Sequence, residues 1–322
     1  MPVPVTTETV GAQLRAVHRA GGLELPLPGS GRTLERWLAL AELACGDLVL
    51  ARLAEAHTDA VAIHAELGVA LEPGLWGVWA AEPPSARVEA ARGGDGWVLS
   101  GRKAWCSGAR MLDRALITAH APDGRRLFAV PVADLVVVEG TWAAVGMAAS
   151  GSVSVDLRAV PAAPVGGPGA YLDRPGFWHG GAGVAACWYG GALGAARLLL
   201  RAARSGTLDP HALAHLGAVD AHVTAMRAHL RQAADEVDAD PVGPGAQLRA
   251  TRLRVHVEAG ASEVLDRVGR ALGAGPLCLD PVHAQRVADL PVYLRQSHAE
   301  RDLAGLGLRR CRWGTLRAAS SS

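Results

Sequence analysis

The chain reads as an α+β protein in three consecutive parts: a short N-terminal helical region (1–73), a middle antiparallel β-domain (74–168) and a C-terminal four-helix bundle (169–322). Three observations carry this. Apolar residues recur at helical spacing over 33–67; at Glu72-Pro73-Gly74 the texture changes to short β-type runs; beyond 169 the helical period returns and holds for most of the remaining chain.

In the first part Leu34, Trp37, Leu38, Ala41, Leu48, Leu53, Ala56 and Ile63 alternate with Arg, Glu and Asp in the pattern of a helix with one apolar face. The β-type runs of the middle part are 76–80, 97–100, 115–119, 127–132, 136–138 and 153–157. Turn signals at 93–96 and at Pro122-Asp123-Gly124 punctuate them. A segment rich in Pro, Gly and Ala, 160–169, reads as a linker. Four helical stretches follow at 185–203, 211–237, 245–272 and 281–306, and their short connections suit antiparallel neighbours. The Ser-rich end, 320–322, reads as frayed.

Half of the residues are apolar, enough in 322 residues to bury a substantial core. The 32 basic and 31 acidic side chains nearly cancel and are dispersed, so neither nucleic acid nor a charged membrane surface is an expected partner. Cys45, Cys106, Cys187, Cys278 and Cys311 are far apart and odd in number, without a CxxC pairing. That argues against a disulfide framework and a zinc site, and fits a reducing cytoplasm. No leader pattern opens the chain and no run of eighteen uninterrupted apolar residues occurs, so a soluble protein is expected. His211 and His215 lie one turn apart without a third ligand nearby, and no metal is expected. Dinucleotide, P-loop and hydrolase glycine motifs are all missing.

The chemistry-bearing segment is Gly101-Arg102-Lys103-Ala104-Trp105-Cys106-Ser107-Gly108-Ala109, in which Lys103 is the chain's one lysine. On spacing alone Trp105 is a cross-strand core aromatic and Ser107 a turn residue. Further on come Asp113-Arg114-Ala115-Leu116-Ile117-Thr118-Ala119, then Val145-Gly146-Met147 and the stretch 150–160. In this order the three segments resemble the acyl-CoA dehydrogenase flavoproteins, across the β-domain and the bundle. The resemblance implies FAD as cofactor, with Trp105, Cys106 and Ser107 beside the flavin: Trp105 against the ring and Ser107 near N5. A flavin needs an aromatic wall and a few placed polar groups, and itself carries the redox chemistry. Arg204 matches a cofactor-binding Arg of the family, and Gly273 and Gly275 resemble its glycine loop near the cofactor; Gly273 is equally good as a helix C-cap. The family's Thr-Glu-Pro-x-x-Gly-Ser-Asp loop, which meets flavin and substrate, survives only as Glu82-Pro83, so Glu82 stands as a substrate-binding candidate and, equally, as part of a plain turn.

The family's catalytic Glu is missing. Counting from Asp289, its position falls at Ser297 or His298, leaving His298 or Glu300 as candidate base and Ser297 as a substrate contact. Two residues apart on a helix, His298 and Glu300 do not share a face. The implied reaction is α,β-dehydrogenation of an acyl thioester (acyl-CoA), with electrons passed to an acceptor protein. Loss of the Glu is also what the resemblance implies for flavin monooxygenases of the same architecture, which use oxygen. A flavin-free partner subunit completing a heteromeric site is the third reading. In the family the bundle forms the core of a homo-oligomer.

Overall fold

The computed structural model describes residues 6–94, 96–206 and 208–319, with side chains through 309. Ser320, Ser321, Ser322, the Cys311 side chain and Asp95 of the 93–96 turn lie outside the described residues. Among the others, Cys45, Cys106, Cys187 and Cys278 are free thiols.

The N-terminal region holds three helices, α1 (Thr7–Arg19), α2 (Thr33–Gly46) and α3 (Leu48–Glu66). The single helical stretch expected over 33–67 is two helices, because Asp47 has extended backbone (φ −145°, ψ 118°) and its side chain accepts the Leu50 N–H at 2.9 Å. One residue thus ends α2 and caps α3. The helix α1 lies outside the expected stretch; Thr6 and Thr9 close a capping box, and Val10 and Leu14 are fully buried.

Seven strands follow: β1 (Trp76–Trp79), β2 (Val88–Gly93), β3 (Gly96–Cys106), β4 (Arg114–Ala121), β5 (Gly124–Pro131), β6 (Val136–Val138) and β7 (Val153–Val165). They pair in the order β1-β4-β2-β3-β7-β5, and β5 returns to β4, so five strands close a ring while β1 and β6 hang on β4 and β7. The expected antiparallel domain is therefore mixed: β1 runs parallel to β4, and β2 touches β4 in parallel through Glu89 and His120. Strand direction across a crossover is not written in the alternation of any one strand. The 160–165 part of the expected linker is the end of β7, where Pro161 faces Val98 and Pro164 faces Phe128. Gly101 has φ +126°, and a Cβ there would collide with the Arg87 carbonyl, so only glycine lets β2 and β3 close at this point.

The C-terminal part comprises α4 (Ala170–Asp173), α5 (Gly176–Arg204), α6 (Pro210–Ala239), α7 (Ala246–Leu272), α8 (Gly275–Leu279), α9 (Pro281–Leu294) and α10 (Glu300–Ala319). The expected last helix, 281–306, is broken between α9 and α10, where Ala299 adopts φ +45°. The long neighbour that completes the packing of α5, α6 and α7 is α2. It comes close because Gly190 faces the Ala41 carbonyl and Gly194 faces that of Cys45, with no room for a side chain. Although α5 is long and apolar enough to cross a membrane, 72% of its apolar window is buried inside the protein, which is the signature of a core helix. One continuous core runs from Val10 through the ring to Leu294.

His57 ties α3 to β1. Its Nδ1 accepts the Trp76 N–H at 3.2 Å, and burial, helped by His18 and Arg36, pushes its pKa down to about 4. Because the folded value lies below the ordinary one of 6.5, the unfolded chain takes up this proton first as pH falls. Stability should drop by up to about 3 kcal/mol between pH 6.5 and 4 from this group. Denaturant unfolding at the two pH values should show a smaller drop in His57→Asn, whose amide oxygen can still accept the Trp76 N–H.

Candidate active site

The end of β3 is fixed from beneath by a buried cation. Lys103 is 1% exposed, and its Nζ donates to the Thr118 carbonyl at 2.9 Å and to Thr118 Oγ1 at 2.8 Å. Thr118 in turn donates to Glu82 Oε1 at 2.7 Å. Glu82 lies 3.5 Å from Lys103, 3.1 Å from Arg125 and 3.2 Å from His120. Burial lowers the Lys103 pKa to about 8 against the pull of Glu82. For Glu82 burial acts upward, but the Thr118 hydroxyl and the three bases outweigh it and hold the carboxyl below its usual range. The substrate candidate Glu82 is thus an internal counter-ion of the chain's one lysine.

Beyond Lys103 the β3–β7 register slips between Lys103 and Cys106. Within this bulge Trp105 adopts φ +57° and is 55% exposed. A bulge re-aims one side chain of a strand, and a non-glycine residue in the left-handed region carries strain that its surroundings must hold. The core reading of Trp105 does not hold: the indole faces outward while Lys103 and Cys106 face in. Cys106 is fully buried, its Sγ donates to the Lys103 carbonyl at 3.4 Å, and burial pushes the thiol up to about 12.

Ser107, 8% exposed, starts a chain of hydroxyls: Ser107 Oγ to Ser152 Oγ at 2.7 Å, Ser152 Oγ to Ser150 Oγ at 2.8 Å, and Ser150 Oγ to the Met147 carbonyl at 2.7 Å. A carbonyl only accepts, so Ser150 must give its proton to Met147, Ser152 its proton to Ser150, and Ser107 its proton to Ser152. The Ser107 oxygen is left with acceptor capacity alone. The same loop docks on the bundle, for the Met147 N–H donates to Asp289 on α9 and Gly146 packs against the Ala288 carbonyl.

Below this junction lies an ionic layer between α3, α5 and α9. Arg52 and Glu55 pair at 2.9 Å, Arg174 holds Glu66 at 2.8 Å with Asp59 at 4.0 Å, and Cys187 and Tyr293 close the layer. Burial pushes the Glu55 carboxyl up to about 7 against Arg52, and the Cys187 thiol up to about 12. Buried nitrogens of Arg52, Arg174 and Trp188 have no hydrogen-bond partner among the described residues. On the Trp105 side, Leu53 of α3 reaches Gly108.

The remaining candidates lie apart. Arg204 is exposed in the last turn of α5. Gly273 is the C-cap of α7 with φ +65°, and Gly275 opens α8; a side chain on either would meet open space. Ser297 is buried, its Oγ accepting the Ala299 N–H at 3.1 Å. The His298 side chain is 66% exposed with Nδ1 3.5 Å from Asp302, and Glu300 is exposed in the first turn of α10. No hydrogen bond or ion pair joins the 297–300 turn to Trp105 or Ser107 among the described residues; Arg254 of α7 holds its leading edge through the Gln296 carbonyl at 3.0 Å. Ser150, Ser152 and Glu55 carry the site's polar structure and were not singled out from sequence. The two serines flanking Gly151, shortly after Gly146-Met147, were the available signal.

No family model matches the chain, and no curated protein matches it in sequence. Solved structures share its fold. TdsC from Paenibacillus sp. A11-2, in complex with FMN and indole, is 21% identical at a TM-score of 0.73, over 94% of this chain and 95% of that one. Methanesulfinate monooxygenase MsuC from Pseudomonas fluorescens is 19% identical at 0.77, over 95% and 96%. KijD3, in complex with FMN and a dTDP-linked amino sugar, is 19% identical at 0.77, over 94% and 87%. The acyl-CoA dehydrogenase-like α+β fold expected from the motifs is the fold they share.

Removing Glu82 leaves three bases facing one another, whereas removing Lys103 leaves Glu82 still paired with Arg125 and His120. Chemical denaturation should therefore give a loss of about 3 kcal/mol for Glu82→Ala and a smaller one for Lys103→Met.

Proposed function

We propose that the protein is a flavin-dependent oxidoreductase of the monooxygenase kind, which holds FMN against Trp105 and uses oxygen on a small organic substrate in the cytoplasm. The exposed Trp105 indole, held on a bulge beside an acceptor hydroxyl, carries this reading. A flavin's planar ring needs an aromatic wall, and a strand that turns an indole outward at the cost of a left-handed backbone has no packing reason to do so. FMN in the TdsC and KijD3 complexes, and the monooxygenase name of MsuC, point the same way.

A bound flavin would supply the electron transfer, and the side chains would bind, orient and move protons. Ser107, its own proton committed to Ser152, can receive an N–H but cannot donate one. Oxidised flavin offers no proton at N5 and reduced flavin does, so this hydroxyl favours the reduced cofactor. Arg204 and the Gly273 to Gly275 turn are the proposed phosphate-side contacts, from the same subunit or from a second copy. His298, backed by Asp302, is the proposed proton carrier toward substrate, with Ser297 and Glu300 beside it.

Two observations favour oxygen chemistry over dehydrogenation of an acyl thioester. Near the β3 end, Glu82 is taken up by Lys103, Arg125 and His120, and Asp289 by the Met147 N–H and Gln285, so neither is free to take an α-proton. The stretch of α3 around Leu53, which reaches Gly108, carries Arg52, Glu55 and Asp59, whereas an acyl chain would need apolar walls.

The test is an anaerobic one on the protein reconstituted with FMN. Butyryl-, octanoyl- and palmitoyl-CoA should each leave the flavin oxidised, and reduced FMN should bind at least about 10-fold, or about 1.4 kcal/mol, more tightly than oxidised FMN. Bleaching by any thioester would overturn the oxygen reading in favour of dehydrogenation. Failure to bind either FMN or FAD would overturn the flavin reading altogether and favour a partner subunit.

A further inference from the structure

A half-open cavity is bordered by α1, the segment that follows it, α2, α3 and the 71–74 turn. It measures about 360 Å³, and Arg36, His57, Leu23, Leu25, Val61 and Leu71 line it. Leu53 of α3 reaches Gly108, and His57 and Val61, one and two turns further along the same helix, line this cavity.

Two donors are aimed into it. Arg36 is 4% exposed, and its hydrogen bonding within the described residues is confined to Nη1 and the Pro26 carbonyl at 3.2 Å. It forms no ion pair there; Asp59 and Glu55 act on it only at longer range, and burial lowers its pKa. With one side-chain hydrogen bond in use, the guanidinium keeps N–H groups that an anion entering the cavity can take up. The second donor is His57. Because its Nδ1 accepts the Trp76 N–H, the neutral ring must carry its proton on Nε2. Leu23, Leu25, Val61 and Leu71 supply aliphatic wall between them.

The charges at the mouth narrow the anion. Glu24 and Glu72 both line it; Glu72 is paired with Arg114, and Glu24 has no ion-pair partner among the described residues. Each further negative charge is repelled by Glu24, so a monoanion on Arg36 is favoured over a phosphate dianion or a dicarboxylate. The volume is at the small end of the roughly 300–1,000 Å³ typical of organic-ligand pockets, room for one ring or a short chain with its carboxylate.

We infer that this cavity is a binding site for a small monocarboxylate with an apolar body, its carboxylate on Arg36 and His57 and its body against Leu23, Leu25, Val61 and Leu71. Its lining includes none of Trp105, Cys106 and Ser107, and a ligand there would tie α2, α3 and the 71–74 turn together.

Calorimetric titration with benzoate as probe tests this, with benzyl alcohol and inorganic phosphate as comparisons. Benzoate should bind one per chain and raise the Tm, while the uncharged alcohol and the phosphate bind at least about 10-fold more weakly. Arg36→Met should abolish benzoate binding. Since that variant removes a buried side chain and can fail to fold, Leu71→Trp is the second arm: Leu71 is 40% exposed at the rim, so the indole fills the cavity from outside. This variant should keep the wild-type Tm without ligand and lose at least about 10-fold in benzoate affinity. Trp105→Ala should bind benzoate as the wild type does. The inference is overturned if benzoate does not saturate the wild type, if benzyl alcohol binds as tightly, if Leu71→Trp binds as the wild type, or if Trp105→Ala abolishes binding.

Discussion

The geometry of the candidate site depends on Lys103, a buried ammonium held by Thr118 and Glu82. A strand alternates its side chains between two faces, so a lysine anchored inward determines where the next residues can point. Here the slip after Lys103 lets Cys106 also face inward and turns Trp105 out in a left-handed conformation. Without the anchor, relaxation of the bulge would return Trp105 toward ordinary strand geometry. A buried ion pair adds little net stability, and its best-attested use is to fix register, which is its place here.

Two electrostatic layers then define what the site can hold. The hydroxyl chain from Ser107 to the Met147 carbonyl has one direction only, and it runs through the loop that Asp289 fastens to α9. The β-ring and the bundle are thereby joined at the point where Trp105 emerges. Arg52, Glu55, Asp59 and Arg174 form a charged layer along α3. Burial raises the Glu55 carboxyl against the pull of Arg52. A polar floor and an aromatic wall suit a small substrate presented to a flat cofactor.

Much of the fold was legible because periodicity survives any packing detail: α5, α6 and α7, and the runs that became β4, β5 and β6, lie where their apolar spacing put them. The failures have separate physical causes. Asp47 split one helical stretch by serving as a cap for the next. In β2 only Val88 and Ala90 face inward, too weak an alternation to show in the sequence, and the prolines of β7 disguised a strand as a linker. Glu82, expected as a substrate contact or as part of a plain turn, pairs with Lys103, Arg125 and His120, and the core position that spacing alone assigns to Trp105 gives way to an outward-facing indole. The serine chain joins positions 45 residues apart, and the Arg36 cavity joins three helices and a turn. Neither proximity is encoded in local pattern; both arise only when the ring closes on the helices.

The central claim is that the β3 bulge presents Trp105 as the wall of a flavin site. The direct measurement is equilibrium binding of reduced FMN to the wild type, Trp105→Ala and Trp105→Phe, with thermal unfolding of each alongside. Because Trp105 is more than half exposed, all three should unfold at nearly the same temperature. The alanine variant should bind at least about 10-fold more weakly and the phenylalanine variant should recover most of that loss. Equal affinity across the three would contradict the account.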